Sequence, residues 1–296
     1  MSLTPGKEIA MTNAHLHFIL KFDMIPPYDQ AYRRAAEALP CSSIVPAGPM
    51  AADSAGCTII LCDTDASIRR YKTEDLPVIA VSHEGNASEE LMGTPWLILS
   101  PDALTPEFLY EVYCRYYRQP MWILETERCR LRELCNEDLP SLKLLQQENV
   151  RNPDGCFFPA DCANPEEFLS DYIRHQYPFF CFGLYAVLEK EAGNFMGIAG
   201  FARITENTAD EDRTNCSSSG KNQLHRRSCS SAEMSYAFLQ QYQHRGIAKE
   251  VLRALLDYGR EQGGFEQFTA RIRPENVTSA ALAKKCGITI YYDESY

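Results

Sequence analysis

The 296-residue sequence predicts an α/β protein in two modules, a smaller one followed by a larger one. Three observations carry this. Short apolar runs bounded by Gly, Pro or Asp alternate with segments whose apolar residues recur at helical spacing. The alternation is interrupted once, at about residues 118–124, "RQPMWIL", which reads as a linker. The element order also changes there: strands are interspersed with helices before it, and three strands occur in succession after it. The expected modules are 1–122 and 123–296.

In the first module, residues 12–22 read as a helix, and Pro26 and Pro27 precede a second at 28–39. "CTIILCD" (57–63) is a short apolar run between Gly56 and Asp63, the pattern of a buried strand. "DASIRRYK" follows as a helix, then "LPVIAVS" (76–82) and "PWLILS" (95–100) as strands. The helix at 105–118 has Thr105 as its cap, Pro106 in its first position and Glu107 in its first turn. Strands alternating with helices imply a small Rossmann-like unit with a parallel sheet.

From residue 125 the order reads β-α-α-β-β-β-α-β-α-β. "ETERCRLREL" alternates, with Cys129 and Leu131 on one face and Arg128, Arg130 and Arg132 on the other. Asn136 is expected to cap a helix, and Asn164 with Pro165 a second. "FFCFGLYAVLEK" and "NFMGIAGFARI", split by "EAGN", form a hairpin. Residues 205–231 hold six serines, one leucine and no aromatic residue, and read as a flexible insertion between strands. Its "HRRSCSS" segment reads as a passive loop, with a phosphorylation site as the alternative. "AEMSYAFL" (232–239) is a strand. In the helix that follows, Ile247, Val251, Leu252, Leu255 and Leu256 make one apolar stripe, and Gly263 and Gly264 end it. "FEQFTARI", a helix introduced by Pro274 and ended by Gly287, and "ITIYYD" close the order.

Net charge is −11, and acidic residues outnumber basic ones in both modules. Phosphate-backbone binding to nucleic acid is therefore not expected, whereas an acidic surface suits a cationic substrate such as an amine. No apolar run approaches the roughly 18–20 residues of a membrane helix. No basic segment precedes an apolar core at the N-terminus, so a cytoplasmic protein is expected, as monomer or homodimer. The twelve cysteines include no C-x-x-C pair. They read as reduced thiols acting as small hydrophobes, Cys62 and Cys181 among them, and no metal site is expected.

"QYQHRGIAKE" (241–250) carries the chemistry. It lies between a strand and a helix whose first turn offers free N–H groups and a positive dipole end, which bind phosphate without a charged side chain. Gly246 has no Cβ to hold a phosphate away, and Ala248 keeps the next amide open. Gln243, His244 and Arg245 line the mouth. Neither the P-loop string nor G-x-G-x-x-G occurs.

The stretch resembles the Q/R-x-x-G-x-G/A signature of the GNAT superfamily of N-acetyltransferases, read as Gln243, Gly246 and Ala248. "LETERCRLREL", "AEMSYAFLQQYQHRGIAKEVLRALLDYG" and "RPENVTSAALAKKCGI" are similar to three ordered segments of its ribosomal-protein N-terminal acetyltransferase (RimJ/RimL-like) subgroup. The last has Ile288 where Phe is usual. The likeness spans roughly 123–292. It implies a mixed central sheet, splayed and flanked by helices, and acetyl transfer from acetyl-CoA to an amine, on a protein N-terminus or a small molecule.

The resemblance places the pyrophosphate on His244, Arg245, Gly246, Ile247, Ala248 and Lys249. It places the pantetheine arm along Phe238, Leu239 and Gln240, with Asn276 hydrogen-bonded to it. Glu233 stands where the subgroup carries a carboxylate that accepts the amine proton. Many members use a Tyr four residues after the Asn to protonate the leaving thiolate. Ala280 stands there, and Ser279 is the alternative. The competing reading is a non-catalytic acyl-CoA-binding regulator on the same fold. In the first module, Asp63 and Asp65 are similar to the start of haloacid-dehalogenase phosphatases, but read more simply as a strand end and a helix cap. The His83–Glu84 pair follows a strand end, where open α/β sheets bind ligands.

Overall fold

A computed structural model describes residues 16–45, 58–149, 157–159, 161–206 and 229–292. The chain divides into two compact units at Gln119/Pro120.

The earlier unit holds a five-stranded parallel sheet in the order β2-β1-β3-β4-β5. Its strands are β1 (Phe18–Asp23), β2 (Ser42–Val45), β3 (Thr58–Cys62), β4 (Val78–Val81) and β5 (Trp96–Ile98). Its helices are α1 (Asp29–Glu37), α2 (Asp65–Thr73) and α3 (Pro106–Tyr116). The helix expected over 12–22 is corrected here: residues 18–23 form β1, an interior strand of the sheet. A strand covered on both faces reads as a continuous apolar run, and periodicity alone does not separate it from a buried helix. β3 and β4 are buried at every position. Thr105 caps α3 as expected, accepting from the Phe108 N–H at 3.2 Å.

The later unit holds a seven-stranded mixed sheet in the order β12-β11-β10-β9-β8-β7-β6. Residues 122–124, read as the end of the linker, belong to its edge strand β6 (Trp122–Glu125), antiparallel to β7 (Cys129–Glu133). β7 alternates as predicted, with Cys129, Leu131 and Glu133 buried. α4 (Leu139–Glu148) begins later than expected. Asn136 lies inside a 3₁₀ turn, Asn136–Asp138, and the Cys135 N–H donates to the Asp138 carboxylate at 2.9 Å. α5 (Pro165–Phe180) starts at Asn164 as predicted but runs through Pro178 to Phe180, taking Phe179 and Phe180 from the segment read as strand. Its Tyr177 is fully buried, accepts from the Leu134 N–H at 2.9 Å and donates to the Leu184 carbonyl, pinning α5 to the sheet.

β8 (Leu184–Glu189), β9 (Phe195–Glu206) and β10 (Cys229–Phe238) run antiparallel in succession. The strands take both ends of the segment read as an insertion, and its remainder, with most of "HRRSCSS", lies outside the described residues. α6 (Ile247–Gly263) ends on Gly264 at φ +64°. β11 (Gln267–Ile272) follows, parallel to β10 and to β12 (Thr289–Tyr292). Between β11 and β12, α7 (Val277–Cys286) is capped by Asn276, not introduced by Pro274. The apolar stripe of α6 is buried at all five predicted positions.

Cys41, Cys62, Cys114, Cys129, Cys135, Cys162, Cys181 and Cys286 form no disulfide. Burial raises the Cys129 thiol to about 11, so it stays protonated. Cys181 departs from expectation: it is exposed, in the left-handed turn that ends α5. Among the described residues no helix is long and apolar enough to cross a membrane.

Candidate active site

The site forms where β10 and β11 part. Their pairing runs Ser231↔Gln267, Ala232↔Phe268, Glu233↔Thr269 and stops. β10 continues for five more residues against β9 alone. At the last shared rung β10 also faces a bulge in β9: Glu233 lies opposite Arg203 and Met234 opposite Phe201, leaving Ala202 as the extra residue. A bulge bends its strand and raises the local twist, which helps β10 diverge from β11.

Strand alternation sorts the backbone groups. The Leu239 N–H donates to the Met196 carbonyl at 3.0 Å, so odd-numbered positions here bond toward β9. The main-chain groups of Met234, Tyr236 and Phe238 therefore point into the splay. Of the three residues expected along an extended ligand, Phe238 faces it. Leu239 is bonded to β9, and the Gln240 N–H donates to the Glu148 carboxylate of α4 at 2.7 Å. Gln243 turns its amide back to the Phe238 carbonyl at 2.8 Å, so it holds the loop in shape.

Past β10 the chain enters α6 through two left-handed residues, His244 (φ +58°) and Gly246 (φ +76°). Gly246 is the N-cap position and offers no side chain to the helix. The first intrahelical bond is made by Glu250, onto the Gly246 carbonyl at 3.2 Å. Helix geometry thus leaves the N–H groups of Ile247, Ala248 and Lys249 unclaimed by the helix, beside an exposed glycine. Together these make a cradle of backbone donors, the kind of arrangement that suits an anion.

Sequence reasoning missed the clamp that fixes this cradle. Arg128, at the head of β7, donates through Nη1 to the Arg245 carbonyl at 3.0 Å and through Nε to Glu250 Oε2 at 2.8 Å. Its own N–H donates to Glu250 Oε1 at 2.9 Å. Arg128 lies over a hundred residues away in sequence, so no local pattern reveals the contact. Burial pushes the Glu250 carboxyl up, but hydrogen bonds from Thr126 and Arg128 outweigh it and hold the group below its ordinary value of 4.5. A lowered folded-state pKa means stability present above the unfolded value and lost as pH falls. Glu250→Gln is therefore expected to lower Tm by about 2–4 °C at pH 7, the equivalent of roughly 1 kcal/mol. The gap should close as pH drops below 4.5; a thermal-melt series over pH 3–8 in which it stays constant would remove the ion pair from the account.

At the far side of the splay Asn276 caps α7, accepting from the Ser279 N–H at 3.2 Å. The Ser279 carbonyl accepts from the Tyr236 hydroxyl at 3.0 Å. Ala280 is nearly buried. Tyr236 was not singled out by sequence, because a strand tyrosine reads as core. Its phenol reaches the turn where the resemblance expects a tyrosine on the helix itself.

Glu233 occupies the opposite face of β10 from Tyr236. It lies in a groove of about 400 Å³ whose floor is the odd-numbered face of β9, β10 and β11: Arg203 and Thr205, Ser231 and Glu233, Thr269 and Arg271. Tyr291 and Tyr292 of β12 form its wall. Arg271 Nε is 3.4 Å from Glu233 Oε2.

In the earlier unit the strand order reverses between β1 and β3, the place where open α/β sheets bind ligands. Asp63 follows β3 there. Its Oδ2 accepts from the Ile25 N–H at 2.6 Å and lies 3.0 Å from His83 Nε2. His83 Nδ1 accepts from the Gly85 N–H at 3.1 Å, so the proton sits on Nε2 and is donated to Asp63. The structure brings together His83 and Asp63, which the sequence treated separately, and leaves out Glu84. Asp65 is not the cap of α2; Thr64 is, and the Asp65 carboxylate accepts from the Glu90 N–H at 3.1 Å. No group of three potential metal ligands occurs among the described residues.

Solved structures that resemble the chain include RimL, the ribosomal L7/L12 alpha-N-protein acetyltransferase (17% identity, 56% of this chain and 79% of that one, TM-score 0.42). Others are a GNAT-family acetyltransferase from Bacillus anthracis (17%, 56% and 82%, 0.40) and an acetyltransferase from Agrobacterium tumefaciens (23%, 55% and 81%, 0.39). Residues 128–289, more than half of the chain, match the family model described as an acetyltransferase (GNAT) domain, and the protein belongs to that family.

Proposed function

We propose that the protein moves an acetyl group from acetyl-CoA to a primary amine by direct attack, within the ribosomal-protein N-terminal acetyltransferase subgroup. The observation that carries this is the juxtaposition of an uncapped helix start, an open strand edge and a carboxylate at one sheet splay. The residues present fit acetyl-CoA. The amides of Ile247, Ala248 and Lys249 suit a pyrophosphate, and the edge of β10 beyond Glu233, where pairing with β11 has ended, suits a chain that carries amides of its own. Acetyl-CoA supplies the activated thioester.

The protein's part is positioning and proton transfer. An alkylammonium has a pKa of about 10 and must lose a proton before its nitrogen can attack. Glu233 accepts that proton, directly or through one water. The main-chain N–H groups of β10 beyond the last β11 rung supply donors for the developing oxyanion. Ser279, whose main chain is bonded to Asn276 and Tyr236, protonates the leaving sulfur in this reading, with Tyr236 as a positioning residue.

The test is a thiol-release assay over a panel of N-terminal peptides, polyamines, aminoglycosides and small amines, run beside calorimetry with acetyl-CoA. Binding together with thiol release for at least one amine is expected. Binding without release for any amine would favour the non-catalytic regulator.

A further inference from the structure

The groove beside Glu233 has a charge opposite to that of the chain. The protein carries a net −11, yet the groove lining holds two guanidinium groups and one carboxylate. The other lining side chains are hydroxyl-bearing: Thr205, Ser231, Thr269 and two tyrosines. An acidic protein selecting a plain cationic amine would be expected to line this groove with carboxylates. Instead it presents a net positive charge and a set of neutral donors.

The placement follows from strand geometry. Arg203 and Arg271 flank β10 from the two neighbouring strands, on the same face as Glu233. Arg203 lies directly opposite Glu233, whereas Arg271 lies two residues beyond Glu233's partner Thr269. At about 4.8 Å per strand and about 3.3 Å per residue the two arginine stems rise at least about 12 Å apart, on either side of Glu233. Both side chains are long enough to converge on one group above the sheet. Arg271 is 3.4 Å from the Glu233 carboxylate and its side chain is 53% exposed. It thus reaches toward the reacting position while its guanidinium stays accessible. Arg203 is exposed too. Guanidinium forks match carboxylate and phosphate geometry and bind them bidentately.

We propose that the acceptor is an amine that also carries an anionic group, a carboxylate or a phosphate, seated on Arg203 and Arg271 so that its amine lies at Glu233. This rests on the acetyltransferase reading and names the substrate class within it. Two sources offer that chemistry: a peptide N-terminus with Asp or Glu at its second or third position, and a small amino acid or aminoalkyl phosphate.

The experiment compares matched acceptors. Acidic peptides are paired with their Asn/Gln counterparts, and aminoalkyl phosphates and amino acids with the corresponding alcohols and amides. Wild type is expected to favour the anionic member by at least tenfold in kcat/KM, and whichever arm shows it identifies the source. Arg203→Glu should abolish or invert the preference and Arg203→Lys restore part of it, while KM for acetyl-CoA serves as the internal reference. A preference that is absent in wild type, or unaltered in Arg203→Glu, overturns the proposal, and turnover of neutral amines in that case leaves the acetyltransferase reading standing. If no amine is turned over, calorimetry with the N-acetylated acidic peptide and with an N-acetylated aminoalkyl phosphate decides, because product-like binding needs no catalysis. Binding of either that Arg203→Glu weakens tenfold supports the groove assignment, and equal or absent binding sinks it.

Discussion

Glu233→Gln is expected to lower kcat by about 10²–10⁴-fold, the range for loss of a positioned general base. The dissociation constant for acetyl-CoA should stay within threefold of wild type. The substitution is nearly isosteric. It keeps an oxygen for Arg271, which lies 3.4 Å from the carboxylate, and removes only the capacity to accept a proton. The fold should be unaffected, because Glu233 is half-buried at the edge of an open groove. Single-turnover thiol release with the best acceptor of the panel measures the effect. A kcat within threefold of wild type would take Glu233 out of the reaction.

The second large effect is at Gly246. Space is not what demands glycine: the nearest atom to an added Cβ is Arg128 Nη2, at 3.7 Å. The backbone demands it, since Gly246 sits at φ +76°. A β-branched side chain there is an outlier, at a cost of about 1–2 kcal/mol. Gly246→Val should lower Tm and raise the dissociation constant for acetyl-CoA more than tenfold. Gly246→Asn separates strain from occupancy. Asn tolerates the left-handed region, and at an N-cap its side chain hydrogen-bonds the very amides that form the cradle. It should fold as well as wild type yet also bind acetyl-CoA more than tenfold less tightly. If Asn binds normally while Val does not, the loss comes from strain and the amides are not the anion site.

The same two residues show how far local sequence reaches. Gly246 was legible because helix starts carry their chemistry in consecutive residues: a strand, a polar turn, a glycine and an apolar stripe fix where the free amides lie. The stripe from Ile247 to Leu256 was legible for the same reason, as was the Asn164–Pro165 start of α5. Arg128 was not legible, because its partners Arg245 and Glu250 are supplied by sheet order and not by neighbours in the chain. Tyr236 and Ser279 meet only because β10 and α7 close one splay. The start of β1 was misread because a doubly covered strand and a buried helix share one apolar signature.

By itself the sequence determined the element types and their order from residue 125 onward, the capping at Thr105 and Asn164, and the helix start at Gly246 with its free amides. Each of these depends on interactions within about one helical turn or one strand, where residue type and spacing act directly on the backbone. Tertiary structure alone decided which main-chain groups face the splay, which arginine braces the cradle, and that two arginines on separate strands flank Glu233 in an otherwise acidic protein. Those outcomes depend on strand register and pairing order, and a shift of one residue would have turned every one of these side chains to the other face.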